Sequence, residues 1–356
     1  MAGFHYFAQV EGELLSTDVA IIGAGSWGTA LASVCADNQH RVSVWVRDPL
    51  LAEEINTHHT NEKYLPSVRL SESIVAHTDV REAIAGKKVI VLAVPSHAMR
   101  EVVRSMSPFL EPDVLLIHAT KGFELESLKR MSEVIAEEVP SAIGSRLAVL
   151  TGPSHAEEVI RRSPTTVVVS SAEEESMIRA QDLLMNTYFR VYTNPDMIGA
   201  EIAGALKNII ALGAGMSDGL GFGDNAKAAL LTRGLAEITR FGVKQGANPL
   251  TFAGLAGVGD MIVTCTSQHS RNWRAGYLLG QGKGLEEVLK QMGMVVEGVR
   301  TTNAAYSLSQ REEVDMPITR VLYGILFEGK SPRQGVEDLM GRGRTYEMEY
   351  LGEYRA

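Results

Sequence analysis

Residues 18–38 read DVAIIGAGSWGTALASVCADN, and the architecture follows from how that stretch changes character. Residues 18–22 form a short apolar run of the kind a strand buried on both faces shows. Gly23, Gly25 and Gly28 follow at once, and then TALASVCADN, which has the composition and spacing of a helix. In a strand–turn–helix frame the three glycines have distinct uses. The first permits the tight turn, the second lets a pyrophosphate approach the backbone, and the third lets the helix pack closely, while the helix N-terminus stabilises the phosphate charge. Outside such a frame the same spacing would mark no more than a tight turn.

Working outward, five more apolar runs alternate with helical patterns: RVSVWV (41–46), VIVLAV (89–94), VLLIHA (114–119), LAVLTG (147–152) and TTVVVS (165–170). Continuous apolar strands separated by helices predict a largely parallel sheet covered on both faces. From about residue 195 the segments carry helical spacing with few strand-like runs. The expected fold is therefore α/β: a Rossmann-type, mostly parallel sheet domain at 17–195, followed by an all-α domain at 196–356. A short arm, 1–16, precedes both. No Pro-, Ser- or Gly-rich linker marks the boundary, which predicts that the second half continues from a long helix packed on the first.

The whole chain has 356 residues, is 45% hydrophobic and 22% charged, and carries a net charge of −9. These values fit an ordinary globular protein and exclude wholesale disorder. The acidic excess lies in residues 1–199, with 26 acidic against 17 basic groups, and the remainder is balanced. Neither half has the Lys/Arg surplus of a nucleic-acid binder. Cys35 and Cys265 lie far apart, without zinc or disulfide spacing, which fits a reducing cytoplasm. No uninterrupted apolar run reaches the roughly 18 residues of a membrane span, and the first 15 residues lack signal-peptide character. None of the nine histidines shows metal-ligand spacing, and His97, His118 and His155 read as strand-end residues, so no metal is expected.

Cofactor choice turns on the end of the second strand. An NAD-specific site is expected to carry an acid there for the ribose 2′-OH, whereas this chain has Arg47. Asp48 precedes Pro49 and reads as a helix N-cap. A guanidinium in that place suits a 2′-phosphate or is a solvated surface charge; NADP is the preferred expectation, with NAD as the other cofactor. Beyond the next strand ends stand Pro95-Ser96-His97 and Thr120-Lys121-Gly122. Lys121 would point a cation into the crevice or snorkel to the surface.

The helix around Lys207 has a face of Ala203, Gly204, Lys207, Asn208 and Ala211 beside an apolar face of Leu206, Ile209 and Ile210. A lysine flanked by small residues either lines a cavity or reaches past a close helix contact to water. Burial and a nearby Lys121 would lower its pKa toward that of a general base. Downstream, AGLAGVGDMIVTCTSQHSRNWRAG reads as a Gly-rich loop, then Asp260 with Thr264 one turn later, then Ser270, Arg271 and Asn272 opening a helix. Ser270 as N-cap with Arg271 makes an anion site of phosphate type. Asp260 has N-capping as its other reading.

Together, GAGSWGTALA, VPSHAMR, HATKG, LTGPSHAEEV, EIAGALKNIIALGAGMSDGLGFGDNAKAALLTRGLAEITRFG, GLAGVGDMIVTC, SRNWRAG and VVEGV resemble the bacterial-type NAD(P)-dependent glycerol-3-phosphate dehydrogenases over nearly the whole length. The resemblance implies a Rossmann domain joined to a helical domain, usually as a homodimer. The implied reaction is reversible hydride transfer between NAD(P)H and dihydroxyacetone phosphate, giving sn-glycerol 3-phosphate for phospholipid synthesis. It places Ser26, Trp27, Arg47, Tyr64, Ala156, Val295 and Glu297 at cofactor contacts, with Lys121 and Arg271 shared between cofactor and substrate. Lys121, Gly152, Ser154, Asp260, Ser270, Arg271 and Asn272 fall at substrate positions, and Lys207 at the proton acceptor. Lys207, Lys121 and Asp260 are then the catalytic set. By its chemistry alone, Asn208 either supports the residues that touch the substrate or contacts a substrate hydroxyl itself. The arm before the first strand is longer than the family usually shows.

Two other readings compete. A related Rossmann-plus-helical hydroxy-acid dehydrogenase could share Lys207 and Asn208 but would need a carboxylate site where this chain has a phosphate-type helix start. A non-catalytic NADPH sensor would keep the glycines and have no use for Lys121, Lys207 and Asp260 together.

Overall fold

All six apolar runs become strands in the computed structural model, which describes residues 17–293, 295–344 and 346–347. The N-terminal arm lies outside the described residues. The strands are β1 (Asp18–Ile22), β2 (Arg41–Trp45), β3 (Ile74–His77), β4 (Val89–Leu92), β5 (Leu115–His118), β6 (Ala148–Thr151), β7 (Thr165–Ser170) and β8 (Phe189–Asn194). They form one sheet in the order β3-β2-β1-β4-β5-β6-β7-β8, parallel except between β6 and β7. The apolar runs do not foretell β3 and β8. Both are edge strands with residues that face solvent, Val75 on β3 and Arg190 and Tyr192 on β8, so neither reads as a continuous apolar segment.

Period-two alternation divides each central strand between two cores. Val19, Ile21, Val89 and Val91 pack on one face of the sheet, and Ala20, Ile22, Ile90 and Leu92 on the other. Each large aliphatic side chain buried this way contributes roughly 1.5–3 kcal/mol. Register puts Ile22 beside Leu92 and Leu92 beside His118, so β1, β4 and β5 end level. The strand order reverses between β1 and β4, and the crevice beyond that point is where an open α/β sheet binds its ligand.

Two residues after β8 ends, Asp196 caps the helix Met197–Gly219 by accepting from the Gly199 N–H at 2.9 Å. This long helix packs on β6 and is surrounded by the helices Asp224–Lys244, Arg271–Gly280 and Glu297–Arg311. It is long and apolar enough to cross a membrane, yet 89% of its apolar window is buried inside the protein. It is the core about which the helical half is built. Glu201 fastens it to the sheet half, accepting from Arg130 Nη1 at 2.6 Å and from the Ser132 N–H at 2.8 Å and Oγ at 2.6 Å. Burial alone would raise the Glu201 carboxyl, but His118, Arg130 and Ser132 hold it at about 2.

One local expectation is corrected. The Gly-rich stretch before Asp260 is not a loop: Leu255–Gly259 winds as a π-type turn and runs directly into the helix Asp260–Thr266. A Cβ at Gly257 would lie 1.9 Å from the Phe252 carbonyl oxygen, so the glycine is what allows the backbone to wind this tightly.

Candidate active site

The glycine turn opens one wall of a cleft of about 800 Å³. A Cβ on Gly28 would stand 1.9 Å from the Gly23 carbonyl oxygen, so the helix Ser26–Asp37 lies flush against the turn. A Cβ on Gly25 would meet nothing within 4 Å, which leaves the middle of the turn open on the cleft side. Gly23, Gly25, Ser26, Trp27, Arg47 and Tyr64 all line the cleft, with Val295 and Glu297 among the lining residues from the helical half. Ser26 Oγ donates to the Tyr64 carbonyl at 3.0 Å. Asn61, fully buried, donates to the Ala24 carbonyl at 3.0 Å and to Thr29 Oγ1 at 2.9 Å. These bonds tie the segment bearing Tyr64 to the glycine turn. Asp48 caps the next helix, accepting from the Leu50 N–H at 3.1 Å, while Arg47 stands exposed on the cleft wall. An open middle glycine, level strand ends and a guanidinium at the end of β2 fit a dinucleotide. Ala156 begins the short helix Ala156–Val159, two residues after the cleft-lining Ser154, and its side chain is buried in the same core cluster as Ala24 of the glycine turn.

Behind Lys121, which lines the cleft, three charged groups meet. Asp260, 1% exposed, accepts from Lys207 Nζ at 2.5 Å on one oxygen and from Lys121 Nζ at 2.7 Å on the other. Lys121 also donates to the Gly152 carbonyl at 3.1 Å, and Lys207 to Thr264 Oγ1 at 2.5 Å. Asp260 is the first residue of its helix, whose N-cap is Gly259, so its carboxylate is spent on the lysines and not on capping. Close packing brings the groups together: a Cβ on Gly204, one turn before Lys207, would lie 2.9 Å from Thr151 Oγ1 on β6. Lys207 therefore sits deep, and Lys121 reaches Asp260 from beyond the end of β5 with part of its side chain at the cleft surface.

The electrostatics follow from this burial. Desolvation pushes the Lys207 ammonium down to about 8, with Lys121 adding to the fall and Asp260 opposing it. Burial would raise the Asp260 carboxyl, but the two lysines hold it below the ordinary carboxylate range. A lysine poised near neutral pH, close to a second cation that lines a cleft, can give or take a proton. Thr264 and Thr151 were assigned no role from sequence. The spacing of four residues between Asp260 and Thr264 on one helix face could have flagged the first; Thr151 left only its place at a strand end.

The third part of the site is the start of the helix Arg271–Gly280. Ser270 caps it, its Oγ accepting from the Trp273 N–H at 3.2 Å. Arg271 is exposed at the cleft and donates to the Val295 carbonyl at 3.4 Å. Asn272 donates to Asn208 Oδ1 at 2.8 Å and accepts from the Gly298 N–H at 2.8 Å, which fixes both amides at the cleft wall. Ser154 lines the cleft and donates to the Gly152 carbonyl at 2.9 Å. The sequence-predicted substrate residues thus converge, with the Ser270 hydroxyl occupied by its own helix. Among the described residues, no group of three or more His, Cys, Asp or Glu side chains is placed to hold a metal ion.

Comparison with known proteins agrees with this geometry. Residues 18–177 match the family described as NAD-dependent glycerol-3-phosphate dehydrogenase N-terminus, and residues 196–337 its C-terminus. The chain is 58% identical over 336 residues to a glycerol-3-phosphate dehydrogenase [NAD(P)+] of Bacillus licheniformis, covering 94% of this chain and 97% of that one. It is 58% identical over 333 residues to the enzyme of the same description from Bacillus subtilis, covering 94% and 96%. A crystal structure of glycerol-3-phosphate dehydrogenase from Coxiella burnetii superposes with a TM-score of 0.87 at 38% identity, over 92% of this chain and 99% of that one. With both halves matched and a glycine turn, a paired-lysine cluster and a basic helix start around one cleft, the chain belongs to the NAD-dependent glycerol-3-phosphate dehydrogenase family.

Proposed function

We propose that the chain interconverts dihydroxyacetone phosphate and sn-glycerol 3-phosphate with NAD(P)H, as a cytoplasmic homodimer that supplies glycerol 3-phosphate for phospholipid synthesis. In this reading residues 17–195 are the dinucleotide-binding domain and residues 196–356 the substrate domain. The observation that carries it is the buried Lys207–Asp260–Lys121 cluster, which Lys121 joins to the cleft that Arg271, Asn272 and the glycine turn also line.

When bound, the reduced dinucleotide supplies the hydride for the ketone carbon, C2. Lys207 Nζ holds the proton that goes to the C2 oxygen, and in the reverse direction takes it back. Lys121 adds positive charge where the oxygen becomes anionic. Asp260 keeps both ammonium groups in place. Arg271 and the N-terminal backbone of its helix hold the phosphate, and Asn208 bonds a substrate hydroxyl. Arg47 favours NADPH through the 2′-phosphate, with NADH as the second cofactor. An assay of NADPH oxidation tests the reading: turnover with dihydroxyacetone phosphate, and little with pyruvate or an acidic keto-acid, is expected. Preference for the keto-acid would transfer the chain to the hydroxy-acid enzymes, and NADPH binding without turnover of any of them would make it a sensor.

A further inference from the structure

Ser96 lies four residues beyond β4, 2% exposed. Its neighbours Pro95 and His97 line the cleft, whereas Ser96 sits behind them. Its Oγ donates to Glu297 Oε2 at 3.1 Å and its N–H to Glu297 Oε1 at 3.4 Å. Glu297 is the first residue of the helix Glu297–Arg311 in the other half of the molecule, and it does line the cleft. A buried serine thus spends both of its donors on one carboxylate 201 residues away. A carboxylate has about four acceptor sites, and Ser96 engages two, so Glu297 is held by one edge while keeping acceptor capacity for a donor in the cleft.

Sheet order indicates which donor that is. The glycine turn follows β1 and Arg47 follows β2, which puts the adenosine half of a dinucleotide on the β2 side. The other half then runs toward the ends of β4 and β5, where Ser96 and Lys121 stand. The pyridine ring that belongs beside Lys121 carries one group with N–H donors, its carboxamide. We propose that Ser96 is a positioning residue: it aims Glu297 to accept from the nicotinamide carboxamide, and so fixes which face of the ring meets the substrate. The proposal rests on the dehydrogenase reading above.

A cofactor without those N–H donors separates a positioning role from a structural one. Oxidation of glycerol 3-phosphate is measured for wild type and Ser96→Ala with NADP⁺ and with its 3-acetylpyridine analogue, whose acetyl group accepts but cannot donate. The expected result is that Ser96→Ala lowers kcat/KM with NADP⁺ by about tenfold, the scale of one hydrogen bond to a charged group. With the analogue the variant should stay within about twofold of wild type, because an interaction that needs the amide donor is already absent. If Ser96→Ala does not fold, Ser96→Cys, which keeps the side-chain shape but replaces the hydroxyl with a weak donor, carries the same comparison with the same expected selectivity. Equal losses with both cofactors, as a packing role or a contact with the ribose would give, overturn the proposal, and so does no loss with either. Wild type inactive on glycerol 3-phosphate with both cofactors would instead sink the dehydrogenase reading on which the proposal stands.

Discussion

Asp260→Asn changes one charge and almost no volume, and the structure assigns it a pH-dependent consequence. The carboxylate accepts from Lys207 at 2.5 Å and Lys121 at 2.7 Å, and it opposes the burial that holds Lys207 at about 8. Losing a charge-assisted bond of roughly 1.5–3 kcal/mol, at 1.36 kcal/mol per pKa unit, lowers Lys207 by about one to two units. The sign follows from charge: removing the anion disfavours the ammonium, so protonated Lys207 survives only at lower pH. Ketone reduction needs that proton. The falling limb of kcat/KM for dihydroxyacetone phosphate, which reports the free enzyme, should move from about 8 to between about 6 and 7. At pH 8 the protonated fraction then drops roughly 5- to 50-fold, while at pH 6 wild type and variant differ by about twofold or less in that fraction. The assay is initial-rate NADPH oxidation from pH 5.5 to 10 at saturating cofactor. A uniform loss at every pH, with the limb still near 8, would refute both the role of Asp260 in setting Lys207 and the assignment of the limb to Lys207.

Lys207→Ala should lower kcat by about 10²–10⁴, the worth of a positioned proton donor, and leave NADPH affinity by fluorescence titration near wild type; a normal kcat would remove Lys207 from the chemistry. Arg271→Ala should raise KM for dihydroxyacetone phosphate steeply and hardly touch unphosphorylated dihydroxyacetone. Since its one side-chain bond among the described residues is a 3.4 Å contact to the Val295 carbonyl, little loss of melting temperature should accompany it. Arg47→Ala should weaken NADPH by about 1.5–3 kcal/mol and leave NADH within a small factor; parallel losses on the two titrations would show that Arg47 does not read the 2′-phosphate.

Much of the fold was legible because its signals are local. Six of the eight strands among the described residues are apolar runs bounded by turns, and β3 and β8 escaped because an edge strand wets part of its length. Asp48 as a cap and the tight glycine turn between β1 and its helix were readable from adjacent residues, since capping and φ preferences act over a few positions. The Gly-rich stretch before Asp260 misled for the same reason: glycines favour loops in isolation, and only packing on Phe252 shows that here they permit a tight helical turn.

By itself the sequence determined the alternation of strands and helices, the glycine frame at 23–28, and the presence of Lys207 among small residues on an apolar helix. It could not decide what those small residues were for. Tertiary structure did, by laying Gly204 against β6 so that Lys207 meets an aspartate 53 residues away, which in turn holds a lysine 139 residues from it. Ser96 and Glu297, 201 residues apart, met in the same way. Backbone preference and hydrophobic period are properties of neighbours along the chain. A pKa or an ion pair is a property of neighbours in space and of the water excluded between them, and no local pattern encodes it.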